Sequence, residues 1–125
     1  MLQNSEAFSG YSVDDLKKAT VFYGTVLGLK IKENKMGILE LHFPNGHNVI
    51  LYPKPNHEPA TFTVLNFQVK NIEKSVDELS ENGIKFLQYE EPIKTNEKGI
   101  CDNGDHSIAW FKDPAGNILS LIQEK

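Results

Sequence analysis

The sequence predicts an α+β fold made from two copies of one module: a strand, a helix, then three strands. Three observations carry that expectation: an internal repeat, helical spacing confined to two short segments, and two-residue alternation in the remaining apolar stretches. In the repeat, Tyr11-Ser12-Val13-Asp14-Asp15-Leu16 answers to Phe67-Gln68-Val69-Lys70-Asn71-Ile72, 56 positions on. Leu27-Gly28-Leu29-Lys30-Ile31 answers to Asn82-Gly83-Ile84-Lys85-Phe86, 55 positions on. Ile38 to Gly46 answers to Ile108 to Gly116, 70 positions on, with Pro44 and Pro114 in register. The order of matches is the same in both halves, and the jump from 55 to 70 puts about 15 extra residues between the second and third strands of the second copy. The expected organisation is one domain over residues 1–125, with module one at 6–52, a Pro-rich linker at 53–61 and module two at 62–123.

The first strand is expected from Phe8 to Val13. A helix follows from about Asp14 to Val26, with Leu16, Ala19, Tyr23 and Val26 at helical spacing and Phe22 widening the stripe. Ser12 or Asp14 can cap its free N–H groups, and Gly28 stands where a left-handed stop is wanted. The second helix, about Ile72 to Glu81, aligns Ile72, Val76 and Leu79, with Asn71 before it and Gly83 after it. Leu39-Leu41-Phe43, Val49-Leu51, Leu65-Phe67-Val69, Ala109-Phe111 and Leu119-Leu121 alternate as strands. Asn45-Gly46 and Ala115-Gly116 read as hairpin turns in register. Residues 94–106 read as a polar loop, long enough to serve as a lid or flap.

Composition narrows the function classes. All 13 basic residues are Lys, against 17 acidic residues, for a net charge of −4. Without guanidinium forks and with an acidic balance, a nucleic-acid binder is not expected. No apolar run approaches the roughly 20 residues of a membrane span, and the first residues, Met1-Leu2-Gln3-Asn4-Ser5-Glu6, do not read as a signal peptide. The single Cys101 has no disulfide partner within the chain and reads as an inert thiol, so a cytoplasmic setting is expected. No phosphate-binding glycine loop, catalytic triad or Cys-His zinc pattern occurs.

Phe22-Tyr23, three residues, then Leu27-Gly28-Leu29 resembles the first-helix signature of the vicinal oxygen chelate superfamily, which includes glyoxalase I, the bleomycin-resistance proteins and the extradiol dioxygenases. Phe111-Lys112-Asp113-Pro114-Ala115-Gly116-Asn117-Ile118-Leu119 is similar to its closing hairpin. The resemblance runs from about Ala7 to Gln123. It implies a glyoxalase-like fold of two tandem βαβββ modules, whose mixed sheet curls around a pocket with the helices outside. It also implies a homodimer.

In metal-dependent members of that family four ligands come from the first and last strands of each module. Transferred to this chain by resemblance, the positions fall on Phe8, Ile50, Val64 and Ser120. None is a carboxylate or an imidazole, and a catalytic divalent metal needs about three N or O donors. No metal and no other cofactor is therefore expected, and metal-dependent glyoxalase or dioxygenase chemistry is not carried over.

If those four positions face the pocket, their strand neighbours at odd spacing face the helices, and those are the apolar Leu51, Leu65, Phe67, Leu119 and Leu121. The pocket face then supplies the candidate ligand-binding residues Glu40, His42, Tyr52, Asn66, Gln68, His106, Trp110 and Ser120. Trp110 and Tyr52 offer flat faces for stacking, and Asn66, Gln68 and Ser120 offer neutral hydrogen bonds. Trp110 has an equal claim as a packing residue. Glu40 and His42, two apart on one strand, read as an acid–base pair or as a solvated strand end; His47 and His57 read as surface residues. The expected function is binding of a small, partly apolar or aromatic molecule. The alternative is a lyase, isomerase or dioxygenase-like enzyme of the same superfamily, using Glu40, His42 and His106 as acid/base groups or relocated metal ligands. A third reading is a structural or regulatory module whose pocket is filled by its own side chains.

Overall fold

The computed structural model describes residues 1–125. The chain divides into two compact units, Met1–Glu58 and Pro59–Lys125.

The first unit runs β1 (Ser9–Val13), α1 (Leu16–Val21), β2 (Lys30–Glu33), β3 (Leu39–His42) and β4 (Asn48–Pro53). These strands form an open sheet in the order β1-β4-β3-β2, with β1 and β4 parallel and the other pairs antiparallel. Alternation decides the faces. Tyr11, Val13, Leu39, Leu41, Val49 and Leu51 are buried, and the residues between them are not. α1 packs on β4 and adds Ala19 to this core; Tyr23, just past its end, is buried too, and its hydroxyl meets that of Tyr11 at 2.8 Å.

The first helix differs from its expectation at both ends. Its N-cap is Asp15, whose carboxylate accepts from the backbone N–H groups of Lys17 and Lys18; neither Ser12 nor Asp14 does so. Past Val21 it widens into a π-type turn over Phe22–Val26, where the Leu27 N–H reaches the Phe22 carbonyl five residues back. Gly28, at φ 72°, then turns the chain into β2, as the left-handed stop requires.

The second unit runs β5 (Thr63–Gln68), α2 (Ile72–Glu81), β6 (Ile100–Asp102), β7 (His106–Lys112) and β8 (Ile118–Glu124). Its open sheet has the order β5-β8-β7-β6 and the same parallel and antiparallel pattern. α2 is capped by Asn71, packs on β7 and β8, and buries Ile72 and Val76 with Ala109, Phe111, Leu119 and Leu121. The 56- and 70-residue offsets reappear as strand register. Gly10 lies opposite Ile50, which lies opposite Glu40; Asn66 lies opposite Ser120, which lies opposite Trp110. The expected α+β fold of two βαβββ modules is what the chain adopts.

The extra residues of the second copy do not form the expected flap. Phe86 bridges Phe111 and the Leu87 N–H bonds to the Trp110 carbonyl at 2.8 Å. Residues 88–99 then leave the sheet, and β6 resumes the pairing at Ile100 opposite Ala109. So the stretch 94–106 contains a strand, and the excursion before it is tied down. Buried Thr95 donates its hydroxyl to the Gln88 side chain (2.8 Å) and accepts from the Tyr89 N–H (3.0 Å). Asn96 closes the return by accepting from the N–H groups of Lys98 and Ile100.

Candidate functional site

Each unit leaves one face of its sheet without a helix, and the candidate residues lie on those faces. In the first unit Glu40 and His42 stand two apart on β3 and point the same way. The His42 Nε2 approaches Glu40 Oε1 at 3.0 Å, and Asn34 Nδ2 donates to Glu40 Oε2 at 3.4 Å. The hydrogen bond from Asn34, then that from His42, holds the Glu40 carboxyl below the usual carboxylate range. Glu40 is three-quarters covered, with 25% of its side chain exposed. Asn34 reaches it because β2 and β3 are joined by a tight turn: the Asn34 side chain accepts from the Met36 and Ile38 N–H groups, and Gly37 takes φ 76°.

Glu40 and Asn34, though not His42, line a cleft of about 630 Å³ on the first unit together with Phe8, Met36, Ile38 and Ile50, and Glu6, His47 and Asn48 also line it. Phe8 precedes β1 and is 69% exposed, so the first strand starts one residue later than expected. Tyr52 shares the face of Ile50 but lies outside this cleft, opposite Ser12 on β1. His57, expected at the surface, is half-buried, with its Nδ1 2.7 Å from the Ser12 hydroxyl.

In the second unit Ser120 is fully buried and donates to Asn66 Oδ1 at 2.5 Å. Trp110 is half-buried beside Ser120, and the ring of Tyr89 meets it edge-on, centroids 5.3 Å apart at 85°. Tyr89 comes from the 88–99 excursion, and no periodicity in the sequence pairs it with Trp110. Gln68 is exposed at the end of β5 and lines a hollow of about 430 Å³ with Lys70, Ile122 and Gln123. His106 starts β7 with its Nε2 2.9 Å from the Asn103 amide. The structure thus joins Glu40 with His42, and Asn66 with Ser120 and Trp110. It gives Tyr52, Gln68 and His106 separate surroundings.

Of the positions that family resemblance assigns to metal ligands, Phe8 and Ile50 line the first unit's cleft. Val64 falls where the β5–β8 register shifts, between Thr63 and Leu65, and Ser120 is engaged with Asn66. No group of three or more His, Cys, Asp or Glu side chains that could hold a metal ion forms in the structure. No helix is long and apolar enough to cross a membrane.

Comparison with known proteins places these features. The family model for the Glyoxalase/Bleomycin resistance protein/Dioxygenase superfamily matches residues 8–121. No curated protein matches the chain by sequence. Among solved structures, a protein from Bacillus anthracis ascribed to the glyoxalase family has a TM-score of 0.73 at 19% identity, covering 100% of both chains. A glyoxalase/dioxygenase from Nostoc punctiforme has a TM-score of 0.70 at 18% identity, covering 99% of this chain and 92% of that one. TnmS3, an antibiotic binding protein from a Streptomyces species, has a TM-score of 0.71 at 19% identity, covering 98% of this chain and 99% of that one.

Proposed function

The chain belongs to the glyoxalase/bleomycin resistance protein/dioxygenase superfamily, and from that premise we propose that it is a metal-free, cytoplasmic, homodimeric binding protein for a small, partly apolar or aromatic molecule. The observation that carries this reading is the chemistry at the four inherited ligand positions. Phe8, Ile50 and Val64 have no donor atom, and the Ser120 hydroxyl is already given to Asn66. Such a set does not fit a divalent metal, which needs about three N or O donors. What remains is a ligand surface of rings, branched aliphatics and a few polar groups, the usual make-up of a small-molecule site. On the first unit Glu40, His42 and Tyr52, and on the second Asn66, Gln68, His106, Trp110 and Ser120, supply the polar and aromatic groups of each unit's own open face. The antibiotic-binding function of TnmS3, on the same fold, supports sequestration over turnover.

A second reading, an acid–base enzyme of the superfamily, is favoured by one feature: the 3.0 Å approach of His42 to Glu40. Metal analysis of protein purified without an affinity tag, paired with a thermal-shift screen of small aromatic compounds, separates the two. Binding to the native state raises the unfolding temperature, through a stabilisation that grows with the logarithm of ligand concentration once it exceeds Kd. The expected outcome is well below one equivalent of Zn, Ni, Fe or Mn, with stabilisation by some of the compounds. A stoichiometric metal bound through Glu40, His42 or His106 would replace this reading with the enzymatic one.

A further inference from the structure

The first unit's cleft has a charge pattern that narrows what it can hold. Its titratable lining side chains are Glu6, Glu40 and His47; two are carboxylates, and none of the 13 lysines lines it. Glu40 sits among Phe8, Met36 and Ile50, and its two oxygens each accept one hydrogen bond, from His42 and Asn34. A carboxylate offers about four lone-pair positions, so roughly half its accepting capacity is left. Lys32 stands opposite Glu40 on β2, and its charge adds a minor lowering of the Glu40 carboxyl, but it forms no ion pair with it. An anion entering here would meet two like charges and no lysine. A neutral apolar molecule would strip water from an ionised carboxylate and give nothing back. A molecule that brings its own N–H⁺ repays that desolvation with a charge-assisted hydrogen bond.

We propose that this cleft binds an organic cation, a protonated amine or amidine carried on a ring or branched aliphatic body, with its N–H on Glu40. The body lies against Phe8, Met36 and Ile50. Phe8 and Met36, 69% and 78% exposed, are free to adjust, and Met suits adaptable apolar contact. This rests on the reading that the chain binds small molecules, and adds the chemical class and the unit that selects it.

The test is a matched pair, phenethylamine and phenethyl alcohol, titrated into the full chain by calorimetry at neutral pH, with amide shifts followed by NMR. The amine is expected to bind roughly tenfold tighter, the worth of one hydrogen bond to a charged group. Its shifts should cluster at Phe8, Asn34, Glu40 and Ile50. In Glu40→Gln the amine loses its advantage and falls to the level of the alcohol. The amine–alcohol comparison needs no variant, so it stands even if that substitution disturbs folding. Equal binding of the two in the wild-type chain, or an undiminished gap in Glu40→Gln, overturns the cationic class and leaves small-molecule binding intact. Binding of neither overturns both.

Discussion

Trp110 is the only tryptophan in the chain, and its surroundings define what its removal should do. It is half-buried, with Ser120 beside it and the Tyr89 ring edge-on at 5.3 Å. An aromatic pair of this geometry is worth about 0.5–1.5 kcal/mol beyond the area it buries, and full truncation of a core Trp costs roughly 3–5 kcal/mol. Trp110→Ala should therefore lower stability by about 2 kcal/mol in urea unfolding, between those figures, and Tyr89→Ala by about 1 kcal/mol through the same pair. Small aromatic compounds that bind on this face should shift Trp110 emission; binding without any shift would assign Trp110 to packing alone. Glu40 makes a different prediction. Its carboxyl is held low by Asn34 first and His42 second. A group depressed in the folded state contributes stability above its unfolded pKa and loses that contribution as pH falls through the folded value. The stability difference between wild type and Glu40→Gln should thus be constant near neutral pH and shrink as pH drops through the carboxylate range. Asp102, held low by Lys125 and then by the Gly104 N–H, should lose its contribution over the same side of the titration. Denaturant midpoints measured from neutral pH to the acid limb check both; a difference for Glu40→Gln that grows towards acid would mean the pair is broken in solution.

At the scale of elements, the repeat made the sheets legible because offset and register are the same quantity seen twice. A 56-residue shift in one strand and a 70-residue shift in its partners can coexist only if Gly10–Ile50–Glu40 and Asn66–Ser120–Trp110 are equivalent rows, which they are. Most of the helix-facing set was legible for the same reason: Leu51, Leu119 and Leu121 alternate with the open face and are buried, while Leu65 and Phe67 on β5 are only half-buried. Three features had no such signal. The cap expected of Ser12 or Asp14 falls on Asp15, whose side chain is chemically identical to that of Asp14, so only backbone geometry separates the two. The π-type turn at Phe22–Val26 leaves the spacing of apolar residues unchanged. The 88–99 excursion is fastened by Thr95 and Asn96, polar residues with no period, and the sequence reads as a polar loop only at 94–106. Asn34 was missed as a partner of Glu40, although the turn marked by Gly37 brings the two strands together. The excursion's end point gives the sharpest prediction at this scale. Gly99 has φ 86°, and a Cβ there would stand 2.7 Å from the Cβ of Phe86, an atom fixed to the backbone. Gly99→Ala combines left-handed strain with that clash, and should cost roughly 2–4 kcal/mol and expose the amides of β6 to hydrogen exchange. Gly104→Ala, also left-handed at φ 97° but with nothing within 4 Å, should cost only about 1 kcal/mol. Equal losses in the two variants would show that strain alone, and not the approach of Phe86, sets the penalty.

For the whole molecule, the fold is shared with proteins only 18–19% identical at TM-scores of 0.70–0.73, so what distinguishes this chain is the dress of the common frame. Two features of that dress bear on assembly. Each sheet ends on strands that have a single neighbour within it: β1 and β2 in the first unit, and β5 and β6 in the second, are edge strands. Large apolar side chains are also left at the surface: Phe62 is 66% exposed, Phe8 69%, Met36 78% and Val21 58%. Single exposed apolar residues are ordinary, but several bulky ones together with open edges favour burial against a second copy. A stable pairing of two chains of this size covers about 800 Å² on each, roughly a tenth of a small protein's surface. Against the 8562 Å² accessible on one chain, that is an area this molecule can supply. Sedimentation velocity at micromolar concentration should therefore show a species of twice the 14.1 kDa chain mass. Phe8→Ser should shift the equilibrium towards the single chain if Phe8 lies in the contact, whereas Phe62→Ser gives the same reading for its own surface. A 14.1 kDa species alone, unchanged as concentration rises, would leave both phenylalanines in water and remove the dimer from the account.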